Sequence, residues 1–337
     1  MTIGVVILNW NGLELLKQFL PDIINYSPEA TIYLADNAST DTSVKFTSEH
    51  FPDVKIVENS VNGGYAKGYN DALAHLNEDI FILLNSDVQV TPHWLEPILK
   101  IFEEQKEVGA VQPKILDLKN PGSFEYAGAA GGYLDRFAYP YCRGRIFDFK
   151  EKDEGQYDDE IEIFWASGAC LAVRSTIYNE LGGLDEDYFA HQEEIDLCWR
   201  IQGSGFKIKY TPNAVVYHLG GGTLNSMNPK KTFYNFRNSL FNIIKNVPKE
   251  DIVWVLVGRM ILDGVAGLKF LTEGKFSHFT AVLKAHITFY GKIAKMSAKR
   301  KKLRKVTDYS SIFSVVYKHF VQGIKKYSDL EGLSEKK

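Results

Sequence analysis

The chain has 337 residues, of which 45% are hydrophobic and 24% charged, so it can bury a sizeable core and is ordinary for a soluble protein. Its net charge of -3 is unevenly divided: up to Pro229 there are 17 Lys/Arg against 34 Asp/Glu, and beyond it 22 against 8. Three scattered cysteines, Cys142, Cys170 and Cys198, form no Cys-x-x-Cys pair, which argues against a disulfide framework and a zinc site and fits a reducing compartment.

The first residues carry neither a basic leader nor a small-residue cleavage site, and 3–8 read as a first strand. Further apolar runs at 31–35, 54–57, 80–84 and 108–112 alternate with helical patterns at 13–24, 42–50, 66–76 and 92–104. Such alternation predicts an α/β fold with a mostly parallel central sheet flanked by helices. Asp41 is a candidate helix cap, and Pro92, after Thr91, fits a first-turn position. Between 122 and 162 the periodicity is lost in a Gly- and Tyr-rich stretch carrying Arg136, Arg143 and Arg145, expected to form a functional loop or lid. Helices are expected again near 175–181 and 194–203, and strands at 206–210 and 214–217.

The tail differs in kind. An aromatic-rich amphipathic helix is expected over 232–246. Residues 252–271 are long enough to suggest a membrane span, but Arg259, Asp263 and Lys269 lie inside it. Each such charge costs ~2.5–3.5 kcal/mol near a bilayer centre, whereas Arg259 and Asp263 can pair at i,i+4 on one helix face. A second apolar repeat over 279–293 precedes the basic run 299–305. Apolar stripes beside basic clusters predict helices lying on an anionic membrane surface.

Chemistry concentrates at a few points. Ile80-Phe81-Ile82-Leu83-Leu84 reads as a strand buried on both faces, and it runs into Asn85-Ser86-Asp87. A carboxylate at the carboxyl end of such a strand sits where open α/β sheets bind ligands, and it suits a hard divalent cation. Asp36 closes an earlier strand and can accept from a base imide or a ribose hydroxyl. No G-x-G-x-x-G or P-loop is present; Asn62-Gly63-Gly64-Tyr65-Ala66-Lys67 is a glycine loop entering a helix, with Lys67 placed to face phosphate. Glu193, Glu194 and Asp196 open a helix and exceed what a helix N-terminus needs, so one of them is a candidate general base. His218 ends a strand just before Gly220-Gly221-Gly222 and can complete a metal site.

In order and content these motifs resemble glycosyltransferase family 2, the inverting enzymes with a GT-A-type nucleotide-sugar-binding fold, over about residues 2–246. The likeness rests on Val6-Ile7-Leu8-Asn9-Trp10-Asn11, Ala35-Asp36-Asn37-Ala38-Ser39-Thr40-Asp41, Asn62-Gly63-Gly64-Tyr65-Ala66, Asn85-Ser86-Asp87, Gly182-Gly183-Leu184-Asp185-Glu186, Glu193-Glu194-Ile195-Asp196 and His218. It looks most like the bacterial branch with rhamnosyltransferases of cell-surface polysaccharide synthesis. The resemblance implies that Asn9, Asp36, Asn62, Gly63, Lys67, Asn85 and Ser86 serve the nucleotide. Asp87 takes the last position of the family's D-x-D motif, where Asn85 replaces the first Asp, and with His218 it would hold Mg²⁺ or Mn²⁺. Glu194 falls on the base position of the acidic pair, with Glu193 as runner-up. Trp165, Gly168, Ala169 and Asp196 are expected on the acceptor side, along with the Arg/Tyr-rich stretch 133–145.

The expected protein is therefore a metal-dependent inverting transferase, moving one sugar from a nucleotide-sugar donor to a hydroxyl of a glycan or lipid-linked acceptor. Residues 1–229 would be the transferase domain, with a donor half to about 115 and an acceptor half from about 116. Residues 230–337 would form an α-helical appendage that holds it on the cytoplasmic face of the plasma membrane, against an anionic surface. No nucleic-acid partner is expected, and nothing in the sequence sets an oligomeric state. A nucleotide-sugar-forming nucleotidyltransferase and a non-catalytic carbohydrate-binding protein on the same fold are the alternatives.

Overall fold

The computed structural model describes residues 1–220, 228–300, 306 and 308–331. The N-terminal part alternates β1 (Ile3–Asn9), α1 (Leu13–Asn25), β2 (Thr31–Asp36), α2 (Ser43–His50), β3 (Lys55–Glu58), α3 (Gly64–Leu73) and β4 (Ile80–Asn85). β5 (Val88–Val90), α4 (Leu95–Glu104), β6 (Val108–Asp117) and β7 (Asn120–Phe124) follow. Next come the short strands β8 (Gly132–Leu134), β9 (Pro140–Cys142), β10 (Arg145–Ile146), β11 (Phe149–Lys150) and β12 (Ile161–Glu162). β13 (Cys170–Arg174), α5 (Ser175–Glu180), α6 (Glu193–Gly203) and β14 (Lys207–His218) complete the sheet-forming part. The chain then turns helical: α7 (Pro229–Asn246), α8 (Ile252–Thr272), α9 (Phe276–Arg300), α10 (Val315–Phe320) and α11 (Tyr327–Glu331).

The main sheet runs β12-β14-β6-β13-β4-β1-β2-β3, with β5 added on β14 and β7 on β6. β3, β2, β1 and β4 are mutually parallel, β14 is parallel to β6, and β13 is inserted antiparallel between β4 and β6. The expected α/β architecture with a mostly parallel sheet is the one observed. β4 is central because all five residues from Ile80 to Leu84 are fully buried. Phe81 and Leu83 join the core on one face with Val6 and Tyr69, whereas Ile80, Ile82 and Leu84 join the other with Leu16 and Phe102. A strand covered on both faces needs an unbroken apolar run, and that run was the signal in the sequence.

Three local expectations change. The stretch expected as a loop or lid is instead structured: β8–β11 form a separate antiparallel sheet, ordered β11-β10-β9-β8, and β7 and β12 join the main sheet. Strands of two or three residues are too short to show a period-2 pattern. Pro92 does not begin a helix; His93 takes φ 63°, a left-handed turn, and α4 starts only at Leu95. The two strands expected near 206–217 are one, β14, with an irregularity between Thr211 and Val215 that absorbs Pro212, a residue with no N–H to give a ladder.

The C-terminal helices share the core of the sheet domain, with Leu240, Phe241, Val255, Phe289 and Met296 buried beside Tyr188 and Trp199. Arg259 and Asp263 form the expected pair at 2.7 Å, fully enclosed, and Tyr139 and His286 also bond the Asp263 carboxylate. None of the described helices is long and apolar enough to cross a membrane. Part of the tail's positive charge is used internally. Lys292 and Lys295 reach Asp187 at 3.0 and 2.7 Å, Lys299 reaches both Asp187 and Asp185, and Lys245 bridges Asp185 and Asp196 at 2.6 and 2.7 Å. Those four lysines therefore have carboxylate partners within the protein; Lys301, Lys302, Arg304 and Lys305 of the basic run lie outside the described residues, as do Gly221 and Gly222.

Candidate active site

Candidate nucleotide contacts gather at the carboxyl ends of β1, β2 and β4. Asn9 and Asp36 are register partners, and the Asn9 amide donates to Asp36 Oδ1 at 3.0 Å and to Ser43 Oγ at 2.9 Å. Its Oδ1 has no hydrogen-bond partner among the described residues although it is buried. A Cβ on Gly12 would lie 2.4 Å from that oxygen and 3.9 Å from Ser86 Oγ, so the bare glycine brings the first turn close to both groups. Asn62 is exposed and accepts from Asn37 and from the Gly64 N–H at 3.1 and 2.9 Å, which shapes the loop around Gly63.

Lys67 departs from expectation. It pairs with Asp71 at 2.7 Å and lines an open groove of about 730 Å³ with Glu58, His75 and Glu186. That groove contains neither Asp87 nor Glu194 nor His218. The first amides of α3 are also engaged: the N–H groups of Tyr65 and Ala66 donate to the Phe189 carbonyl at 2.7 and 3.4 Å. The glycine loop is thus tied to the loop before α6, and Lys67 is paired with Asp71 on the half-exposed side of α3.

Asp87 and His218 meet. After β4, the turn Asn85–Asp87 carries the chain into β5, whose Val88 pairs with His218 at the end of β14. His218 Nε2 lies 3.1 Å from Asp87 Oδ1, and its Nδ1 lies 3.2 Å from Glu125 Oε2. Burial alone would lower the His218 pKa, but the carboxylates of Asp87 and Glu125 on either side of the ring outweigh it and bring the imidazole to about 10. A divalent cation would replace that proton. The 3.1 Å separation is close to the roughly 3 Å between adjacent ligands on an octahedral cation with ~2.1 Å bonds, so the pair fits one. Among the described residues no group of three or more His, Cys, Asp or Glu converges on one point, so Asp87 and His218 are the side chains that would hold a cation, a sparse protein set of the kind usual for Mg²⁺. Glu125 was not singled out from the sequence. It orients the imidazole from behind, as outer carboxylates do for metal-bound histidines, and a lone acid in a Gly/Tyr-rich stretch gives no sign of this.

The acidic pair is held by strained backbone. Phe189, His191 and Gln192 all have positive φ, 66°, 69° and 74°, which costs of order 1–3 kcal/mol at each non-glycine position. Their carbonyls and those beside them are gripped by α7. Asn238 Nδ2 donates to Tyr188, Ala190 and His191 at 3.1, 2.9 and 2.6 Å, Arg237 to Asp187 and Tyr188, and Asn242 to Gln192. Asn238, Asn242 and Asn246 recur at i,i+4,i+8 among apolar neighbours, a polar stripe legible in the sequence but not singled out there.

Glu193 and Glu194 differ in setting. Glu193 is buried with Oε2 lacking a partner among the described residues, and burial, then the neighbouring Glu194, pushes its pKa well up. Glu194 is half-buried, and burial raises its pKa to about 7 against the pull of backbone N–H groups. Tyr65 lies within electrostatic range of both carboxylates, and its hydroxyl donates to the Gly168 carbonyl at 2.6 Å. A Cβ on Gly168 would be 2.8 Å from that hydroxyl oxygen. Ala169, the next residue, receives the Asn85 N–H at 3.0 Å, so contacts link the end of β4 to the acidic pair.

Other expected acceptor-side residues sit deeper. Trp165 is buried against Gly132, its indole N–H donating to the Tyr133 carbonyl at 3.0 Å, and Ala169 is buried too. Asp196 corrects its assignment: it is fully buried, and Arg200, Lys245 and Asn246 occupy its two oxygens at 2.9, 2.7 and 3.0 Å. It anchors α6 to α7 and leaves no oxygen for an acceptor.

A sheet with candidate nucleotide contacts at its carboxyl edge, a carboxylate–imidazole pair and a half-buried carboxylate together make a candidate nucleotide-sugar transferase site. The model of glycosyl transferase family 2 matches residues 4–181, and the chain belongs to that family. It is 28% identical over 218 residues to the N-acetylglucosaminyl-diphospho-decaprenol L-rhamnosyltransferase of Mycobacterium tuberculosis, covering 60% of this chain and 71% of that one. To the rhamnosyltransferase WbbL of Escherichia coli it is 22% identical over 215 residues, 62% of this chain and 80% of the relative. Its fold is similar to that of the mannosyltransferase PcManGT from Pyrobaculum calidifontis, solved with GDP-Man and Mn²⁺, with a TM-score of 0.54, 15% identity and 86% of each chain covered. The chain is a glycosyltransferase of GT-A fold.

Proposed function

We propose that this enzyme moves one deoxyhexosyl or hexosyl unit from a nucleotide-diphosphate sugar to a hydroxyl of a lipid-linked or surface glycan, with inversion. The observation that carries the reading is Glu194: a half-buried carboxylate with its pKa raised to about 7, fixed at a helix start by strained backbone. A base poised near the working pH takes the acceptor proton as its oxygen attacks the anomeric carbon. Direct displacement by that oxygen, with no enzyme nucleophile, inverts the centre. Glu193 is buried, and burial with the neighbouring Glu194 pushes its pKa well up, so it is the less ready of the two to accept a proton from an acceptor.

Asp87 and His218 would hold the cation, Mg²⁺ or Mn²⁺, with Glu125 orienting His218. When bound, the metal supplies positive charge to the departing diphosphate. Asn9, Asp36, Asn62, Gly63, Asn85 and Ser86 are assigned to the nucleotide, and the carboxylate of Asp36 suits a base imide or a ribose hydroxyl. Gly168 and Tyr65 border the acceptor side. The rhamnosyltransferase relatives favour a deoxyhexose donor and, by the name of the mycobacterial one, an acceptor carried on a lipid diphosphate.

A lipid-linked acceptor also suits the outer face of the C-terminal helices. Val253, Val257, Ile261, Val265 and Leu268 form an exposed stripe along α8, and Phe276, Ile287 and Phe320 are exposed on the helices that follow. An exposed apolar stripe of this kind fits the headgroup–acyl boundary of a membrane. Transfer assays with a panel of nucleotide-sugars and a short-chain prenyl-diphosphate glycan, with the anomeric configuration of the product read by NMR, test the reading. A retained configuration, or no transfer from any donor, would overturn it.

A further inference from the structure

The small sheet β8–β11 and its turns carry three arginines, and two of them have carboxylates. Arg136 pairs with Asp251 at 2.8 Å, and Arg143 pairs with Asp159. Arg145 makes no ion pair among the described residues although it is only 6% exposed. Its Nη2 touches Cys142 Sγ at 3.2 Å, its Nε is without a partner among those residues, and its guanidinium lies over the Tyr126 ring at 4.6 Å. A second cation shares that ring: Lys231 Nζ is 5.3 Å from its centroid and also forms no ion pair among the described residues. Burial pushes the Cys142 thiol up, so it supplies no counter-charge. Glu125, one residue before Tyr126, attracts both cations at a distance but bonds neither, its carboxylate lying against His218 and the Ala127 N–H.

Two cations on one ring repel each other, and an enclosed guanidinium with no carboxylate bonded to it is costly. A phosphate offers what both lack: planar acceptor pairs for Arg145 and a point charge for Lys231. We propose that Arg145 and Lys231, across Tyr126, form a phosphate-binding subsite beside the Asp87–His218 pair and separate from it. The phosphate is either the donor's diphosphate or that of a lipid-linked acceptor. Only the acceptor alternative rests on the function proposed above.

The full-length protein is titrated calorimetrically in Mn²⁺ with UDP, GDP and dTDP, and then, saturated with the nucleotide it prefers, with geranyl diphosphate. Arg145→Gln and Lys231→Met are compared with wild type. Lys231 is half-buried at the start of α7, so its variant tests the subsite even if the Arg145 variant fails to fold. A tenfold or greater loss for geranyl diphosphate, with nucleotide affinity kept, places the acceptor's phosphate here. The same loss for the nucleotide places the donor's. Unchanged affinity for both ligands in a folded variant overturns the proposal. Glu194→Gln is carried through the same titrations: if that variant keeps full transfer activity the assigned base fails, and the phosphate titrations still decide the subsite.

Discussion

Asn238, on α7, holds the His191 carbonyl at 2.6 Å, three residues before the carboxylate assigned as the base. The same amide takes the carbonyls of Tyr188 and Ala190, so one side chain grips three carbonyls within four residues of backbone that includes left-handed residues. Asn238→Ala should therefore lower kcat by about 10-fold or more, because small misplacements of a reacting group are costly, while the donor KM stays nearly unchanged. Loss of buried bonds should also cost about 1–3 kcal/mol of stability. Steady-state kinetics beside thermal unfolding check this; equal loss of kcat and donor affinity would mean the clamp serves the whole fold and not the base.

Activity should rise with pH through about 7, since Glu194 must be unprotonated to accept the acceptor's proton. The linkage to stability has the opposite sign. A carboxyl whose folded pKa is raised from 4.5 to about 7 binds more protons in the folded state across that window, so stability falls as pH rises through it. Glu194→Gln removes the charge and should melt higher than wild type above pH 7, roughly the folded pKa. A pH series of kcat and melting temperature tests both signs.

In the metal pair, Asp87→Ala and His218→Ala should each abolish Mn²⁺-dependent nucleotide binding, because the described residues supply no third ligand. Glu125→Gln should weaken Mn²⁺ by about 10–100-fold, the usual effect of losing a carboxylate behind a metal-bound histidine. Electron paramagnetic resonance of free Mn²⁺ reads this without turnover. Unchanged Mn²⁺ affinity in all three would remove the metal assignment.

Membrane binding should depend on the apolar stripe of α8 more than on charge, because Lys292, Lys295 and Lys299 are committed to Asp185 and Asp187. Ile261→Glu with Val265→Glu, both at exposed positions, should reduce vesicle flotation without changing the melting temperature by more than ~2 °C, as expected of surface changes. Raising salt should weaken wild-type binding only modestly. Binding that vanishes in salt and ignores these substitutions would return the role to the basic run.

Much of the fold was legible because its signals are local. The apolar run Ile80–Leu84 marks a strand covered on both faces, and the alternation of strands and helices implies a parallel sheet. The i,i+4 spacing of Arg259 and Asp263 announced their pair. What the sequence hid depends on contacts between distant segments. Glu125 and His218 are brought together by tertiary packing, as are Lys299 and Asp187, and no pattern along the chain records either pair. Lys67 looked free beside glycines, yet Asp71 one turn later takes it. Asp196 looked like a third catalytic acid because its partners Lys245 and Asn246 come from a helix far along the chain.

The most direct test of the account is transfer by Glu194→Gln measured beside Glu193→Gln, with Mn²⁺-dependent donor binding followed in parallel. Gln keeps the shape and removes the proton-accepting oxygen, so Glu194→Gln should bind donor as wild type does and lose about 10²–10⁴-fold in kcat. Glu193→Gln should lose far less, since its carboxyl is buried and its pKa is pushed well up, away from the acceptor's proton. Near-normal turnover by Glu194→Gln, or a larger loss in Glu193→Gln, would contradict the assignment of the base.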